Sequence, residues 1–514
     1  MNRWSAVALV LAVAAALALR APQLDTRPLH NDEAVNAIKL NELWQEGRYS
    51  YDPDEYHGPT LHYATLPFLW LSGARQSDDL SDSRLRLAPV AFGVGLIFLI
   101  WLFADGLGRS AVVWTSFLIA LSPAMVFYSR YFIHEMLLVF FTALTLGSGW
   151  RYSQRPSALW ALGFGTGLGL MITTKETFVI SLAAMGGAGI ITAWWTLGKR
   201  PTVRDVLPYW KTSHAALAAG AALLLWLLFF SSFLTHFSGL KDSVLTYLPW
   251  LKRAGGHSPH IHPWTFYLEL LAWFHPVKGP LWSEGLILML SGLGAGVAVF
   301  VKKTALHRFL FLYTLLLTAA YSAISYKTPW CLLNFYLGML LLAGVGAAWL
   351  VQVFRNQTAT TLMALLLAAS ASHLGWQAWR ASFTYATDRR NPYVYAQTTR
   401  DVMTLVERAE GIAKVSPAGH ETVIKIIAPE SDYWPLPWYL RRFKQLGWYE
   451  KIPDDPFAPL VMVSSKLDAR LDDKSNRKWI MVGLSELRPG RFFELYVELE
   501  LWKKYVETLP KDRE

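Results

Sequence analysis

Apolar runs alternate with short polar connectors along the chain up to about residue 380. Eleven of these runs reach the length of about 17–25 residues that a membrane-spanning helix needs. We predict spans at 4–21, 87–104, 110–127, 133–150, 157–174, 177–196, 215–235, 283–301, 307–325, 330–351 and 358–377. The run Leu61–Gly73 (LHYATLPFLWLSG) is too short to span, so we expect an interfacial helix lying on the membrane. The pattern predicts an α-helical polytopic membrane protein.

Composition supports this fold class and excludes others. Hydrophobic residues make up 53% of the 514 residues and charged residues 17%, against roughly 25% charged in soluble proteins. The single cysteine, Cys331, allows no disulfide within the chain and no cysteine zinc cluster, and we expect a buried, inert thiol. The N-terminal run Met1–Leu19 also resembles a signal peptide, but it is longer than a typical signal core, so we expect an uncleaved first span.

Basic residues predict the orientation of the spans. We place Arg3 on the cytoplasmic (inside) face of the membrane and Leu61–Gly73 flat on the membrane surface. Nearly all basic clusters of the short loops then lie on the inside face, as the positive-inside rule requires. Counting Leu61–Gly73 as a span would put them all outside, so the alternation favours eleven spans. The net charge of +10 comes from these clusters and does not indicate nucleic acid. The inside residues are Arg109, Arg151, Arg155, Lys199, Arg200, Arg204, Lys211, Lys302, Lys303, Arg308 and Arg355.

The C-terminal part of the chain has a different pattern. We assign residues 1–380 to a transmembrane domain, with a long outer loop at 22–86, and residues 385–514 to a small extracytoplasmic α/β domain. Strand-like runs at 423–427 and 460–463 and a helical pattern at 402–412 support this assignment. The aromatic stretch Trp434–Tyr439 (WPLPWY) either docks on the membrane or is a loop with core aromatics.

Charged side chains at the outer ends of the spans are the candidate functional residues. An ionisable group at or within a span is costly, so it tends to serve a function. Under the predicted topology these groups lie in four outer turns, which could enclose one cavity. They are Asp32 and Glu33 in LHNDEAVNA, Arg130, His134 and Glu135 in YSRYFIHEM, Lys175 and Glu176 in TTKET, and Lys327 in SYKTPW.

Each candidate also has a structural interpretation. Asp32 is a suitable N-cap for a helix that begins at Glu33, whose charge suits a first turn. Glu135 is placed to form an ion pair with Arg130 or Lys175. Lys175 is also placed to extend towards lipid headgroups. Capping and catalysis are compatible, because a cap fixes where a carboxylate lies.

Two further features have structural alternatives. Lys327, which precedes Thr328-Pro329, is suited to anchoring a span at the membrane interface. His257, His260 and His262 in GGHSPHIHPW have the spacing of metal ligands, but no nearby acidic residue completes a set. A polar loop is the favoured interpretation of these histidines.

Three features occur in a fixed order along the chain. The first outer loop carries an Asp-Glu pair, interfacial segments precede the second span, and another acid lies at the outer end of a later span. They are Asp32-Glu33, the HGPTLHYATLPF segment from His57, and Glu135 in SRYFIHE. This set resembles the GT-C clan of membrane glycosyltransferases, which includes protein O-mannosyltransferases and the aminoarabinose transferases that modify lipid A. More closely, the whole chain is similar to the flippase-activity-associated glycosylation proteins through HNDEAVNA, EYHGPTLHY, TTKET, SYKTPW and PLPWYLR.

The resemblance implies a sugar donor carried on a polyprenyl phosphate and an acceptor that is a lipid, a glycan or a protein. By family likeness Asp32 is the general base and Glu33 and Glu135 support it. Attack opposite the leaving phosphate would invert the anomeric configuration. The cations available to hold the donor phosphate are Lys175, Arg130 and Lys327. Further candidates for substrate binding are His30, His57, His134 and Glu176.

The resemblance leaves a metal cofactor open, because some relatives bind a divalent cation and others do not. Asp32, Glu33, Glu135 and His134 carry the oxygen and nitrogen atoms that Mg²⁺ or Mn²⁺ would need.

A second class of function fits the same charges. A non-catalytic partner of a flippase or transporter would bind the lipid-linked glycan without chemistry. An ion-coupled transporter is disfavoured, because the charges lie at one rim rather than at the midplane and no inverted repeat is visible. We expect the cytoplasmic (inner) membrane as the location, with the active site and the C-terminal domain on the periplasmic side.

Overall fold

The computed structural model describes residues 3–55, 57–198, 202, 210–250 and 260–510. These residues form two compact units, each described by itself below. The first unit comprises Met1–Leu24, Glu42–Arg75 and Ser83–Tyr395, and the second comprises Asp25–Asn41, Gln76–Asp82 and Ala396–Glu514. Three residues of the predicted inside loops, Lys199, Arg200 and Arg204, and His257 of the histidine loop lie outside the described residues.

Helices lie at all eleven predicted spans. The run Leu61–Gly73 forms a helix of 12 residues, Thr60–Leu71. The helices that precede residue 395 are Arg3–Arg20, Asn31–Glu46, Thr60–Leu71, Asp82–Ile100, Ala104–Leu107, Arg109–Leu121, Pro123–Tyr128, Glu135–Gln154, Ala158–Ile172, Phe178–Leu197, Thr212–Phe230, Ser238–Leu245, Phe266–Ala272, Gly285–Gly296, Ala305–Ala323, Leu332–Val353 and Gln357–Trp379.

Seven helices of the described part of the chain are long and apolar enough to cross a membrane, so the protein is a multi-pass membrane protein. The predicted number of eleven fits only roughly. The predicted span 110–127 is divided into the helices Arg109–Leu121 and Pro123–Tyr128. A proline disfavours helical backbone in the residue before it, and Ser122 instead caps the second helix by accepting a hydrogen bond from the Met125 amide.

The helix Leu332–Val353 is the centre of the first unit. In the segment Pro329–Val353, 94% of the most apolar stretch of 18 residues is buried inside the protein. Small residues allow neighbouring helices to approach its backbone closely. A Cβ atom on Gly346 would overlap the backbone of Leu290, and one on Gly294 would overlap Leu342. The apolar residues here therefore pack against protein.

The second unit contains a five-stranded mixed sheet in the order β2-β1-β3-β5-β4. Parallel pairing joins β1 to β2 and β3, and antiparallel pairing joins β5 to β3 and β4. The strands are β1 Ile424–Ile427, β2 Leu446–Tyr449, β3 Leu460–Ser464, β4 Trp479–Arg488 and β5 Arg491–Glu498. The helices are Asp401–Val415, Leu436–Tyr439, Leu471–Lys474 and Leu499–Glu507. The two predicted strands and the predicted helix at 402–412 are confirmed.

Two segments of the predicted first outer loop pack with the C-terminal residues in this unit. The Tyr439 hydroxyl accepts a hydrogen bond from the Leu29 amide at 2.7 Å and donates one to the Asp82 carboxylate at 2.6 Å. The Thr398 hydroxyl donates to the Leu29 carbonyl at 2.7 Å. Trp438 is fully buried and donates to Asp82 at 2.9 Å. These contacts support the core alternative for the WPLPWY stretch.

Candidate functional site

The predicted site residues fall in both units. The second unit holds His30, Asp32 and Glu33, and the first holds Arg130, His134, Glu135, Lys175, Glu176, Lys327 and His57. We therefore describe the contacts of each group within its own unit.

His30 caps the helix Asn31–Glu46. Its ring Nδ1 accepts a hydrogen bond from the Asp32 amide at 3.1 Å. Its own amide donates to the Glu33 carboxylate at 2.9 Å, which completes a reciprocal capping arrangement. The expectation that Asp32 caps a helix beginning at Glu33 is wrong, because the helix begins two residues earlier. Burial lowers the pKa of His30, which favours the neutral imidazole that this contact requires.

Glu33 is committed to structural contacts. Its side chain is fully buried and, besides accepting from the His30 amide, lies 3.4 Å from the Arg27 guanidinium. A buried carboxylate that pairs with a cation and accepts a hydrogen bond from the backbone has the partners that burial requires. Glu33 therefore holds the first turn of the helix in place.

Asp32 has a different environment. Its side chain is 46% exposed, and the carboxylate lies 3.8 Å from His30 Nδ1. Among the described residues, that carboxylate accepts no hydrogen bond. Because Nδ1 already accepts from the Asp32 amide, the approach to the ring is not a hydrogen bond either. The first turn thus presents one carboxylate that is available to a ligand.

Glu135 and Lys175 form a buried ion pair in the first unit. The Lys175 ammonium donates to Glu135 Oε1, and the two side chains are 6% and 2% exposed. Glu135 begins the helix Glu135–Gln154, and Lys175 lies in the turn after the helix Ala158–Ile172. Burial by itself would lower the pKa of Lys175, but the adjacent carboxylate raises it above its ordinary value. One of the structural alternatives, Glu135 with Lys175, is confirmed.

Glu176 contacts two polar side chains. Its carboxylate accepts from Tyr51 at 3.2 Å and lies 2.8 Å from His57 Nδ1. Burial by itself would raise the pKa of Glu176, but the His57 ring lowers it overall. The His57 ring stacks on Trp250 with centroids 4.9 Å apart. The adjacent His134 ring lies 3.0 Å from the Gly58 carbonyl through Nε2.

The HGPTLHY and TTKET motifs pack directly against each other. The Thr60 amide donates to the Thr173 carbonyl at 3.1 Å, and the two threonine hydroxyls are 2.7 Å apart. A Cβ atom on Gly58 would overlap the Thr173 carbonyl, so only glycine fits here. The two motifs are distant in sequence, and their packing brings His57 to Glu176.

Arg130 and Lys327 each donate to backbone carbonyls. The Arg130 guanidinium binds the carbonyls of Arg20 and Pro22, each at 2.7 Å, and that of Gln23 at 3.0 Å. These contacts fix the chain where the first helix ends.

Lys327 has a simpler environment. Its ammonium donates to the carbonyls of His262, at 3.0 Å, and Ile324, and no carboxylate lies within ion-pair distance among the described residues. Burial lowers the pKa of Lys327.

The rings of His260 and His262 contact the Tyr395 hydroxyl at 2.7 and 3.2 Å.

The proposed metal ligands do not form a metal site in the described residues. No group of three or more histidine, cysteine, aspartate or glutamate side chains there is arranged to hold an ion. Glu33 and Glu135 are each engaged by a basic side chain. As they are paired here, these side chains do not offer a divalent cation a set of three ligands.

Sequence reasoning missed the buried carboxylate of Glu284. It accepts hydrogen bonds from Ser122, Tyr336 and Tyr393, each at 2.6 Å, and from the Ala124 amide at 2.8 Å. The signal in the sequence is a single acid directly before an apolar run. With four donors from three separate parts of the chain, Glu284 ties helices together.

Comparison with known proteins supports the sequence interpretation. The family model for dolichyl-phosphate-mannose-protein mannosyltransferase matches residues 61–240. No curated protein matches the chain significantly. The structure of ArnT from Cupriavidus metallidurans bound to undecaprenyl phosphate is 16% identical, with a TM-score of 0.65 over 96% of this chain and 98% of that one.

A second solved structure has a related fold. The apo oligosaccharyltransferase from Archaeoglobus fulgidus is 13% identical, with a TM-score of 0.57 over 87% of this chain and 64% of that one. The two likenesses show that the chain has a GT-C-like fold. Together with the family match they support a glycosyltransferase.

Proposed function

We propose that the protein is an inverting glycosyltransferase. It moves a sugar from a polyprenyl-phosphate donor to a lipid, glycan or protein acceptor at the outer face of the cytoplasmic membrane. The mannosyltransferase family match over residues 61–240 supports the reaction class. The ArnT structure with bound undecaprenyl phosphate supports a lipid-phosphate donor. A second structure of the Archaeoglobus fulgidus oligosaccharyltransferase, tethered with an acceptor peptide, supports a separate acceptor.

The availability of Asp32 is the observation that carries this proposal. Of the three candidate acids, Glu33 and Glu135 are buried and paired with Arg27 and Lys175. The Asp32 carboxylate is half exposed on a turn that His30 and Glu33 hold by reciprocal hydrogen bonds. A general base must be open to the hydroxyl whose proton it removes and must be held in place. Asp32 meets both requirements.

The reaction balances with Asp32 as the base. The acceptor oxygen forms a bond to the anomeric carbon as its proton passes to the Asp32 carboxylate. The bond between that carbon and the phosphate oxygen breaks, and the electron pair leaves with the lipid phosphate. Attack from the face opposite the phosphate inverts the configuration. A fixed cation at the phosphate stabilises the charge of the leaving group.

Lys327 is the best supported of the three phosphate-binding candidates. Its ammonium is as buried as that of Lys175, but it contacts only neutral carbonyls among the described residues, so its charge is not compensated by a carboxylate. Lys175 is paired with Glu135, and Arg130 directs its donors to backbone carbonyls at the end of the first helix. For Lys175 and Arg130, a role in positioning fits these contacts better than phosphate binding.

His57 is the most exposed of the substrate-binding candidates in the first unit. Its side chain is 23% exposed and stacked on Trp250, whereas His134 and Glu176 are buried. We propose that His57 contacts the substrate while Glu176 orients the His57 ring. His30 orients Asp32 by capping its helix.

The test compares wild type with Asp32→Asn in nanodiscs supplied with labelled polyprenyl-phosphate sugars and a native membrane-lipid extract. Loss of a general base predicts a fall in turnover of about 100-fold or more. Asp25→Asn is the matched control, because Asp25 is an exposed aspartate of the same segment. It should keep wild-type turnover.

Two outcomes would contradict the proposal. Asp32→Asn with turnover within twofold of wild type would remove Asp32 from the role of base. Donor binding without turnover by wild type, across a panel of donors, would favour the non-catalytic partner of a flippase.

A further inference from the structure

Three basic side chains surround one carboxylate in the second unit. Asp432 Oδ2 lies 2.9 Å from Lys466 Nζ and 3.0 Å from Arg491 Nε, and Asp432 Oδ1 lies 3.1 Å from Arg488. We call these four residues the Asp432 cluster. None of them belongs to the motifs that the sequence analysis selected.

The topology of the sheet brings the cluster together at one edge. Asp432 follows the carboxyl end of β1, and Lys466 follows the carboxyl end of the parallel strand β3. Arg488 ends β4 and Arg491 begins β5, which runs antiparallel to β3, so both lie at the same edge. The edge at the carboxyl ends of parallel strands is where open α/β sheets bind ligands.

The cluster has more positive charge than its own carboxylate can balance. Arg488 and Arg491 are directly opposite each other across the β4–β5 turn. Like charges in that relation destabilise a hairpin unless another group compensates them. Among the described residues, Asp432 is the one carboxylate within ion-pair distance of the three cations. An additional anion would therefore be stabilised at this edge.

The arrangement also leaves donors accessible. Lys466 and Arg491 are 38% and 40% exposed, whereas Asp432 is 12% exposed beneath them. Arg488 Nε is buried and has no hydrogen-bond partner in the described part of the chain. Exposed basic groups above a buried carboxylate suit an oxyanion, which accepts charge-assisted hydrogen bonds from several donors.

Backbone strain in the two residues before Asp432 fits a functional role. The two residues before it, Glu430 and Ser431, have φ values of 57° and 54°, in the left-handed region that non-glycine residues seldom adopt. Such strain persists where the surroundings impose it, and it concentrates at binding sites. The turn after β1 thus holds Asp432 under the three cations at an energetic cost.

The cluster is electrostatically connected to Asp32 within the same unit. Burial lowers the pKa of Arg488, and the charges of Asp432 and Asp32 oppose that effect. Contacts of the Leu29 backbone with Thr398 and Tyr439 fix the start of the Asp32 helix on the C-terminal residues. A ligand group held at the cluster would therefore be within electrostatic range of the proposed base.

We infer that the Asp432 cluster binds an oxyanion, a phosphate or carboxylate group, that the acceptor carries. Lys466 and Arg491 are the direct donors, and Arg488 contributes charge from the side nearer Asp32. The binding of an oxyanion does not depend on the proposed transfer, but the assignment of that group to the acceptor rests on it. The inferred site gives the enzyme a preference for acidic acceptors over neutral ones.

The test uses the full-length protein in nanodiscs of neutral lipid and inorganic phosphate as the probe. Binding is measured by calorimetry and by the shift of the thermal midpoint, against sodium chloride at equal ionic strength. Lys466→Gln and Arg491→Gln should each weaken phosphate binding about tenfold, since each removes a charged donor of hydrogen bonds to the oxyanion. Lys444→Gln is the matched control, because Lys444 pairs one-to-one with Glu421 in the same unit.

Asp432→Asn separates a binding site from a structural network of ion pairs. In a binding site the carboxylate competes with the ligand, so its neutralisation should tighten phosphate binding several-fold. In a structural network the same change should lower the thermal midpoint and leave phosphate binding weak or absent. That second result, or equal phosphate affinity in wild type and Arg491→Gln, would overturn the inference.

Two further probes identify the source of the oxyanion. Glucose 6-phosphate, a soluble sugar phosphate, should compete with inorganic phosphate at the cluster. Undecaprenyl phosphate in the nanodisc should not compete, because the donor phosphate has its own site. Competition by undecaprenyl phosphate alone would overturn the assignment to the acceptor. Phosphate binding without glycosyl transfer by wild type would contradict only the proposed function.

Discussion

The first turn of the Asp32 helix and the Glu135–Lys175 pair were both selected as charged groups of the predicted outer turns, but they differ in the structure. In the first, two adjacent acids have separate environments, since Glu33 is buried against Arg27 and Asp32 is 46% exposed. In the second, an acid and a base that are 40 residues apart are both buried and neutralise each other. The first turn exposes one charged carboxylate, whereas the Glu135–Lys175 pair keeps both of its charges buried.

Helix geometry explains the difference within the first turn. Consecutive residues of an α-helix point about 100° apart, because the helix has about 3.6 residues per turn. When Glu33 turns inwards to meet the His30 amide, Asp32 must face another direction. A pair of adjacent acids on a helix is therefore poorly suited to one shared structural role. It is well suited to one buried support and one exposed reactive group.

The largest expected effect on stability is at the buried pair. Glu135→Gln leaves the Lys175 ammonium buried without its counter-charge, and breaking a buried pair in this way costs about 3–5 kcal/mol. The loss should appear as a lower thermal midpoint and lower denaturant resistance in nanodiscs. The double variant Glu135→Gln/Lys175→Met should recover much of the loss, because no isolated charge remains. A Glu135→Gln protein as stable as wild type would show that the pair is not essential to the fold.

A smaller effect is expected in the first turn, and it should separate the two acids. Glu33→Gln keeps an acceptor for the His30 amide but removes the charge opposite Arg27, so a loss of about 1.5–3 kcal/mol is expected. Asp32→Asn should change stability by less than about 1 kcal/mol, the usual size of a charge effect at a helix N-terminus. Unfolding measurements on both variants test this order. Equal losses would mean that Asp32 is as structural as Glu33.

The smallest effect concerns pH. Burial lowers the pKa of His30, so the folded protein resists protonation there. The unfolded chain takes up the proton first as the pH falls below about 6.5, the ordinary value. The stability that His30 contributes is complete above that pH and is lost as the pH falls through the folded-state pKa. His30→Asn keeps a capping acceptor that does not titrate, so its thermal midpoint should fall less than that of wild type between pH 7 and pH 5. Parallel curves would contradict a role for His30 in acid sensitivity.

The sequence predicted the helices better than their interruptions. Each apolar run became a helix because a backbone in lipid must satisfy its own hydrogen bonds. The division at Pro123 could have been predicted from the proline itself, since it removes a donor and constrains Ser122. The start of the Asp32 helix was misjudged because histidine is a less usual cap than aspartate, and the reciprocal contact with Glu33 is visible only in three dimensions.

The candidate site was predicted in part. Asp32, Glu176 and His57 were selected from motifs, and the contact between His57 and Glu176 follows from the packing of those motifs. Glu284 was missed because one acid before an apolar run is an ambiguous signal. The Asp432 cluster was missed because Asp432, Lys466 and the Arg488–Arg491 turn come from three separate parts of the chain, and only the sheet brings them into contact.

The amino-acid sequence is enough to locate the helices, to recognise a membrane protein and to select the unusual charged residues. Burial of apolar side chains and satisfaction of the backbone act over one turn or one strand, so they can be read locally. The three-dimensional contacts are needed to see that Asp32 is exposed and that Lys175 is neutralised by Glu135. They are needed as well to see that cations gather around Asp432. The availability of a charge depends on partners from distant parts of the chain, and folding alone brings them within a few ångströms.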